Sequence, residues 1–307
     1  MIKIYQKTIK DRDFRELSDF GVGSWVLVEN PSEEELKRIT EELGLEESLL
    51  RDAVDLSEVP RLEVEENGDV YFFSQIPYGE GDEISTAPVL MVVADTCLVT
   101  VSQRELPFRV ADISRKFDFA TTQKAKLFLQ LLTEVNSIYN RAINSINREV
   151  RSRGIHLGRV TNKDVAQFVY FETILNDFLS NLVPMNQALG NLLSGKAMRL
   201  YDEDKDLIED LVLASGQQIE SARANLKTIV NIRQAYMTIA TNDLNRVIRL
   251  LTALTVVLTI PMIVTSFYGM NVMLPGASSP EVALWIAGGT GLVMIVLLAI
   301  FIRNRWL

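Results

Sequence analysis

Residues 250–271 read LLTALTVVLTIPMIVTSFYGMN, and none of these side chains is charged. The neutral run continues to Pro280, and a second uncharged segment covers residues 282–302. A helix needs roughly 20 residues to cross the hydrocarbon of a bilayer, so each segment is long enough. Because two such segments lie side by side, we predict a pair of transmembrane helices, 250–270 and 282–302, rather than one buried core helix.

Basic residues flank the pair of helices. Arg246 and Arg249 precede the first, Arg303 and Arg305 follow the second, and the connecting segment 271–281 has no Lys or Arg. The positive-inside rule therefore predicts an extracellular loop at 271–281 and a cytoplasmic tail at 303–307. The start of the chain has no apolar signal core, which also favours a cytoplasmic N-terminus. We expect a multi-pass protein of the cell (plasma) membrane with both termini in the cytoplasm.

Composition narrows the function classes. The 307 residues carry a net charge of −9, which makes nucleic acid a poor partner and cations a reasonable one. Cys97 and His156 are single, so one chain offers no disulfide, thiolate zinc cluster or histidine-based metal site. The sequence has no P-loop, dinucleotide-binding glycine turn or nucleophilic triad. We therefore expect no enzyme and no organic cofactor.

The first part of the chain mixes strand and helix patterns. Segments 2–9, 24–28, 70–76, 89–94 and 97–102 are rich in β-branched or aromatic residues, and Asn67-Gly68 is typical of a hairpin turn between 61–65 and 70–76. Helix patterns cover 33 onward, 46–54, 121–153 and 161–193. We predict a cytoplasmic α/β domain over 1–120 and cytoplasmic helices over 121–200.

A long helix is predicted next. It opens at Asp202 and meets no proline until Pro261. If it continues to Tyr268, it is about 100 Å long at 1.5 Å per residue, far more than a bilayer. Residues 201–249 would then form a stalk that continues into the first membrane helix.

Polar residues recur along this helix at heptad spacing. They share two positions: Asn231, Thr238, Asn245, Thr252, Thr259 and Ser266 in one, and Gln234, Thr241, Ile248, Thr255, Met262 and Gly269 in the other. Threonines can simply bond back to carbonyls of their own helix and aid tight packing. Alternatively, several copies of the helix surround a water-filled channel, in which Ile248 and Met262 form constrictions. We favour the channel, which requires an oligomer because two membrane helices cannot enclose one.

Several segments resemble the CorA magnesium transporter family. The strongest is Tyr268-Gly269-Met270-Asn271 at the end of the penultimate apolar segment. Thr241–Asn245, Ser266-Phe267 and the basic, Trp306-containing end are similar to the family's corresponding segments, and so are Asp52, Asp55 and Pro60-Arg61-Leu62-Glu63. The resemblance implies a funnel-shaped homopentamer whose stalk helices line the pore. It also implies transport down the electrochemical gradient and a cytoplasmic domain that responds to internal Mg²⁺.

The residues and the resemblance together predict a site. Mg²⁺ sheds its first water shell reluctantly, so neutral oxygens suit a cation that passes hydrated. We expect a selectivity filter of Tyr268, Gly269, Met270 and Asn271. The expected pore lining is Asn245, Ile248, Thr252, Thr255, Thr259, Met262 and Ser266.

Two sets of acids are candidates for sensing internal Mg²⁺. One is the run Asp202, Glu203, Asp204, Asp206, Glu209 and Asp210, which is equally typical of a solvated helix start. The other is Asp52 and Asp55. The sequence does not choose between them.

Two other functions stay open. One is a relative that moves Zn²⁺, Co²⁺ or Ni²⁺, against which the scarcity of thiols and imidazoles argues. The other is a membrane-anchored sensor or scaffold with a coiled-coil stalk. The scaffold explains the long helix, but it explains neither the polar residues inside the membrane nor the neutral signature at their end.

Overall fold

The computed structural model describes residues 1–11, 13–79, 84–116, 120–154, 160–272 and 280–304. The strands are β1 (Ile2–Gln6), β2 (Arg15–Leu17), β3 (Trp25–Glu29), β4 (Arg61–Val64), β5 (Val70–Tyr78), β6 (Ser85–Val93) and β7 (Leu98–Ser102). The helices are α1 (Glu33–Leu43), α2 (Glu47–Asp52), α3 (Val110–Lys116), α4 (Lys124–Gly154), α5 (Asn162–Leu193), α6 (Asp202–Tyr268) and α7 (Pro280–Arg303). The chain divides into two compact units, residues 1–231 (the first unit) and 232–307 (the second unit).

The first unit contains a seven-stranded sheet in the order β2-β1-β3-β7-β6-β5-β4. Neighbouring strands are antiparallel except β3 and β7, which pair in parallel with Trp25 opposite Leu98. A parallel pair needs a long crossover, and the chain from α1 to β6 supplies it. The sheet is therefore mixed, with two strands added beyond β3 and three beyond β7.

Helices cover both faces of this sheet. On one face, Leu36 and Ile39 of α1 join a buried cluster that includes Tyr71 and Phe73 of β5. On the other face, Phe72 of β5 makes an edge-to-face contact with Phe128 of α4, with ring centroids 5.6 Å apart. Because alternate residues of a strand point to opposite faces, a strand like β5, which is buried from Val70 to Pro77, is expected in the central layer of three.

Local sequence signals explain how several elements begin. The Ser32 hydroxyl accepts from the Glu35 backbone N–H at 3.2 Å, and the Glu35 carboxylate accepts from the Ser32 N–H at 3.0 Å. This capping box satisfies two donors at the start of α1. Between β4 and β5, Gly68 has a φ of +91°, a value that a glycine adopts without steric cost. The predicted helix start and hairpin turn are both confirmed.

Helix α6 is continuous over 67 residues, about 100 Å. Within the first unit its buried side chains recur at intervals of three and four. They are Asp204, Ile208, Leu211, Ser215, Gln218, Ala222, Asn225 and Ile229, and Ile219, beside Gln218, is buried as well. This spacing places one face of the helix against the rest of the unit.

The second unit contains the remainder of α6 and α7, which are long and apolar enough to cross a membrane. Almost none of their apolar residues are buried, so neither is the core helix of a soluble domain. The partly buried side chains of α7 recur every three or four residues: Val282, Ile286, Thr290, Met294, Leu297 and Phe301. They form one face of the helix.

The predicted fold class, an α/β domain followed by a long helix and two apolar helices, is confirmed. Strand β2 and helix α3 were not predicted, and α4 begins at Lys124 rather than at 121. The reason lies at Thr121, whose hydroxyl accepts from the Lys7 N–H at 2.9 Å and donates to the Gly23 carbonyl at 2.6 Å. These tertiary bonds hold Thr121 outside the helix. His156, most of the predicted extracellular loop at 271–281 and the end at 305–307 lie outside the described residues.

Candidate functional site

The predicted pore lining lies on one side of α6. We call Asn245, Ile248, Thr252, Thr255, Thr259, Met262 and Ser266 the polar stripe. In this part of α6 the buried side chains are Ala253 and Val257, which are 0% and 6% exposed. At 100° per residue, the midpoint of these two side chains is about 150° around the helix from the centre of the polar stripe.

The stripe itself is open in the single chain. Thr252 and Thr255 are exposed, Thr259 is half-buried, and Met262 is 64% exposed. Every residue from 241 to 252 is exposed, so the packing of Ala253 and Val257 is local. The polar stripe lies on a face of α6 that the chain leaves unpacked, on the other side of the helix from these two residues.

The threonine hydroxyls of the stripe bond within their own helix. Thr252 donates to the Ile248 carbonyl at 2.8 Å, and Thr255 donates to the Leu251 carbonyl at 2.8 Å. Thr259 donates to the Thr255 carbonyl at 2.7 Å. A hydroxyl has one hydrogen and two lone pairs. Since the hydrogen is used, each oxygen presents only acceptor capacity to its surroundings.

This arrangement favours one kind of ligand. Water bound to a cation directs its hydrogens outward, so an outer-shell partner must accept hydrogen bonds. Oxygens committed as acceptors match that demand without any ionised group. The back-bonding expected from structural threonines is thus present, and it is chemically compatible with contact to a hydrated cation.

The stripe ends where α6 ends. Tyr268 is the last helical residue, and the Gly269 N–H still donates to the Thr265 carbonyl at 2.9 Å. A Cβ on Gly269 would lie 3.1 Å from that carbonyl oxygen, so a larger residue would crowd the helix end. The exposed Asn271 follows, outside the helix, with a neutral amide that can both donate and accept.

The acids proposed as sensors are in ordinary structural surroundings. Asp52 accepts from the Arg61 guanidinium at 2.9 Å, and Asp55 accepts from the Ser57 backbone N–H at 2.9 Å. Arg61 also contacts the carboxylates of Glu58 and Glu63. One cation therefore already compensates part of the charge around Asp52.

The acids at the start of α6 are mostly solvated. Asp204 is buried, and its carboxylate accepts from the Tyr201 backbone N–H at 3.1 Å. Asp202 pairs with Lys205 at 3.1 Å. Glu203, Asp206, Glu209 and Asp210 are exposed. Negative charge in the first turn of a helix is favourable, which suffices to explain these residues.

Among the described residues, no group of three or more His, Cys, Asp or Glu side chains could hold a metal ion. Within the described part of one chain, neither acid set therefore forms a metal-binding site. A role for either set in sensing Mg²⁺ stays a prediction.

Sequence reasoning missed the Arg61 cluster and the packed pair Ala253 and Val257. The guanidinium of Arg61 lies 3.9 Å from the centre of the Phe73 ring while it contacts three carboxylates. No local pattern joins those residues, because strand pairing brings Phe73 opposite Arg61. No sequence signal distinguishes Ala253 and Val257 from the equally apolar residues beside them.

A sheet-containing unit followed by two exposed apolar helices is the architecture of an integral membrane protein with a large water-soluble part. Residues 21–303 match the sequence model of the family described as "CorA-like Mg2+ transporter protein". This match covers most of the chain, and the protein belongs to that family.

Curated relatives extend over nearly the same length. The cobalt/magnesium transport protein CorA of Methanocaldococcus jannaschii is 24% identical over 297 residues, covering 92% of this chain and 91% of the relative. The magnesium transport protein CorA of Yersinia pseudotuberculosis is 24% identical over 324 aligned residues, covering 99% of this chain and 98% of the relative.

A solved structure shares the fold. The complete structure of the CorA magnesium transporter from Methanocaldococcus jannaschii superposes with a TM-score of 0.85 at 19% identity. The match covers 100% of this chain and 99% of that one. The protein thus has the fold of a full-length CorA transporter.

Proposed function

We propose that this protein is a divalent-cation channel of the CorA type, which passes hydrated Mg²⁺ into the cytoplasm. One observation carries the proposal: acceptor oxygens line the unpacked face of α6 and lead to the neutral amide of Asn271. Family membership supports Mg²⁺ as the cargo. Co²⁺ is a second cargo, as the name of the Methanocaldococcus relative suggests.

The channel is formed by several copies of the chain. Before the first apolar segment, α6 exposes Met237, Leu244 and Val247, each at least 59% accessible in the single chain. Large apolar side chains on a stalk outside the bilayer call for a covering surface. Identical stalks packed in a ring cover them and place each polar stripe at a common axis. On the resemblance to CorA proteins, we propose five copies.

Selection uses the hydration shell of the ion. Stripping Mg²⁺ is slow, whereas a ring of amide oxygens can accept from the water of an intact shell. Asn271 forms the outer ring, with Tyr268, Gly269 and Met270 shaping its approach. Asn245, Thr252, Thr255 and Thr259 are further stations. Ile248 and Met262 form the apolar constrictions at which the channel closes.

The protein crosses the plasma membrane twice, with both termini in the cytoplasm and 271–281 outside. The basic residues Arg246, Arg249 and Arg303 near the helix ends support this orientation.

Internal Mg²⁺ closes the pore through acids of the first unit. Asp52 and Asp55, or the exposed acids at the start of α6, could each contribute to a site between neighbouring copies, because Mg²⁺ that keeps most waters needs only one or two carboxylates.

Substituting Asn271 tests the proposal. We expect Asn271→Ala to abolish Mg²⁺ uptake into liposomes while the size of the purified assembly, measured by size-exclusion chromatography with light scattering, is unchanged. Asn304→Ala, at an exposed amide beyond α7, is the matched control and should transport normally. Normal Mg²⁺ uptake by the Asn271 variant would refute the role assigned to this residue.

Competition among cations separates the remaining functions. If Zn²⁺, Co²⁺ or Ni²⁺ is the cargo, it will outcompete Mg²⁺ at equal concentration in the same flux assay. If the protein is a scaffold, no cation will be transported at all. Patch currents recorded at raised internal Mg²⁺, with each acid set neutralised in turn, identify the sensor.

A further inference from the structure

A glycine lies inside α6 within the first unit. Gly216 follows Ser215, and such pairs are among the few causes of a sharp bend in a helix. A Cβ built on Gly216 would meet no atom within 4 Å outside the neighbouring turns of its own helix, so alanine would fit there. Glycine is also a much poorer helix former than alanine. Packing therefore does not require a glycine at this position, and the helix is locally weak there.

The part of α6 before this glycine is well held. Ile208 and Leu211 are buried apolar side chains, and the buried carboxylate of Asp204 accepts from the Tyr201 backbone N–H at 3.1 Å. Burial of apolar surface and a satisfied polar group both favour a fixed position. The first turns of α6 are therefore anchored in the unit.

Helix α4 runs beside α6. Residues 122–126 at the start of α4 and 201–204 at the start of α6 line the same cavity. Further along both helices, the side-chain amide of Gln218 donates to the Asn136 backbone carbonyl at 2.9 Å. The two helices are therefore parallel neighbours, and this polar contact lies just beyond the glycine.

The buried face of α6 from Ser215 onward is incompletely hydrogen-bonded. Among the described residues, none bonds to the Ser215 hydroxyl, to the carbonyl oxygen of the Gln218 amide or to the Asn225 amide nitrogen, and each of these side chains is at most 6% exposed. On α4, the side-chain oxygen of Asn136 also has no partner. Because burying a polar atom without a partner is unfavourable, this part of α6 is held less firmly than the first turns.

Helix α5 shows how a firmly packed helix of the same unit differs. All of its buried side chains, from Phe168 to Leu192, are apolar. It also contains an interior glycine, Gly190, around which the space for a Cβ is equally open. A glycine by itself therefore does not define a weak point. At Gly216 it coincides with an interface that leaves polar atoms unpaired.

We infer that α6 has a hinge at Ser215-Gly216, so that residues 217–231 occupy two positions. In one they pack in the first unit as observed, and in the other they bend away from α4. Bending lets the unpaired polar atoms reach water, which offsets the apolar contacts that are lost. The anchored turns before the hinge keep one position. The inference concerns the first unit alone and does not depend on the proposed transport function.

Double electron–electron resonance of the full-length, detergent-solubilised protein tests the inference. Spin labels at Asn140→Cys on α4 and Lys227→Cys on α6 occupy exposed positions on either side of the bend. Assemblies with few labelled chains report distances within one chain, and the buried Cys97 should stay unlabelled. We expect two distances for this pair, with or without Mg²⁺. The pair Asn140→Cys and Glu209→Cys, which reports on α6 before the hinge, should give one.

Substitutions at the hinge should change the ratio of the two positions. Gly216→Ala should shift it about fivefold toward the packed position, because alanine favours the unbent helix. Ser215→Ala, which removes a buried unpaired hydroxyl, should shift it in the same direction. Gly190→Ala makes the matched change in α5 and should leave the ratio unaltered. A single narrow distance for both label pairs, two distances for the Glu209 pair, or an equal shift in the Gly190 variant would overturn the inference.

Discussion

At the scale of single residues, the threonines of the polar stripe combine a structural and a functional property. Each gives its only hydrogen to its own helix, which removes an unsatisfied donor from a membrane segment. The same bond leaves an oxygen with acceptor capacity on the unpacked face. A polar residue can therefore line a pore without exposing an unmatched hydrogen when the pore is dry.

Replacing one hydroxyl by a methyl group separates the two roles. Thr255→Val keeps the shape of the side chain and removes the acceptor, so we expect Mg²⁺ flux into liposomes to fall several-fold. Thr290→Val is the matched control, because Thr290 makes the same kind of bond, to the Ile286 carbonyl at 2.7 Å, but lies on α7. An equal fall in both variants would mean that the hydroxyls serve helix packing only.

The heptad count predicted which residues share the stripe, because spacing along one helix follows from helix geometry alone. The count could not reveal that the Thr255 hydroxyl points its hydrogen at Leu251. It also could not show that Ala253 and Val257 are the packed pair, since Leu254 and Val256 are equally apolar. Burial in the folded chain distinguishes them.

At the scale of elements, α6 was predicted from end to end because acids in its first turn and the absence of early proline are strong local signals. Strand β2 was missed because its three residues, Arg15–Leu17, are too short for an alternating pattern. They become a strand by pairing with β1, where Ile4 lies opposite Leu17. Pairing of that kind is a tertiary property.

The capping box of α1 gives a prediction for an element. Ser32→Ala removes the acceptor for the Glu35 N–H, which typically costs about 1 kcal/mol. Local opening of Glu33–Leu43 should become about fivefold more frequent, as measured by hydrogen–deuterium exchange of the full-length protein at pH 7. Exchange in α5, which has its own cap at Thr161, is the internal control. Unchanged exchange in α1 would show that tertiary packing, not the cap, holds its start.

The same capping box has a defined pH dependence. The hydrogen bond from the Ser32 backbone N–H holds the pKa of Glu35 below its ordinary value of 4.5. A carboxylate whose pKa is lowered by folding stabilises the fold above its unfolded pKa and loses that contribution as the pH falls through the folded value. At pH 7 Glu35 is ionised, so the capping box makes its full contribution to stability. Hydrogen exchange at this pH therefore reports the whole effect of Ser32→Ala.

At the scale of the whole molecule, the exposed apolar residues of the stalk and the open polar stripe make the single chain incomplete. We predict that native mass spectrometry of the detergent-solubilised protein shows one closed homo-oligomer, a pentamer if the family resemblance extends to subunit number. Leu244→Glu should weaken assembly, because it places a charge on the exposed apolar surface through which we propose that the copies pack. A monomer that still transports Mg²⁺ would contradict the shared axis.

Cysteine accessibility can show which face of α6 contacts water, because the protein's own cysteine should contribute little background. Its single cysteine, Cys97, is 1% exposed, and burial raises the pKa of its thiol. Charged methanethiosulfonate reagents attack thiolates and enter only water-filled space, so they should leave Cys97 unmodified. The modification of a cysteine introduced into α6 can therefore be measured without a contribution from Cys97.

The most direct test of the central claim compares Thr259→Cys with Val257→Cys in liposomes. We predict that a charged methanethiosulfonate modifies the cysteine at 259, that Mg²⁺ slows this modification, and that the modified protein no longer conducts. The cysteine at 257, on the packed face, should not react. Modification at 257 with none at 259 would show that the polar stripe faces lipid or protein rather than water, and would contradict the proposed pathway.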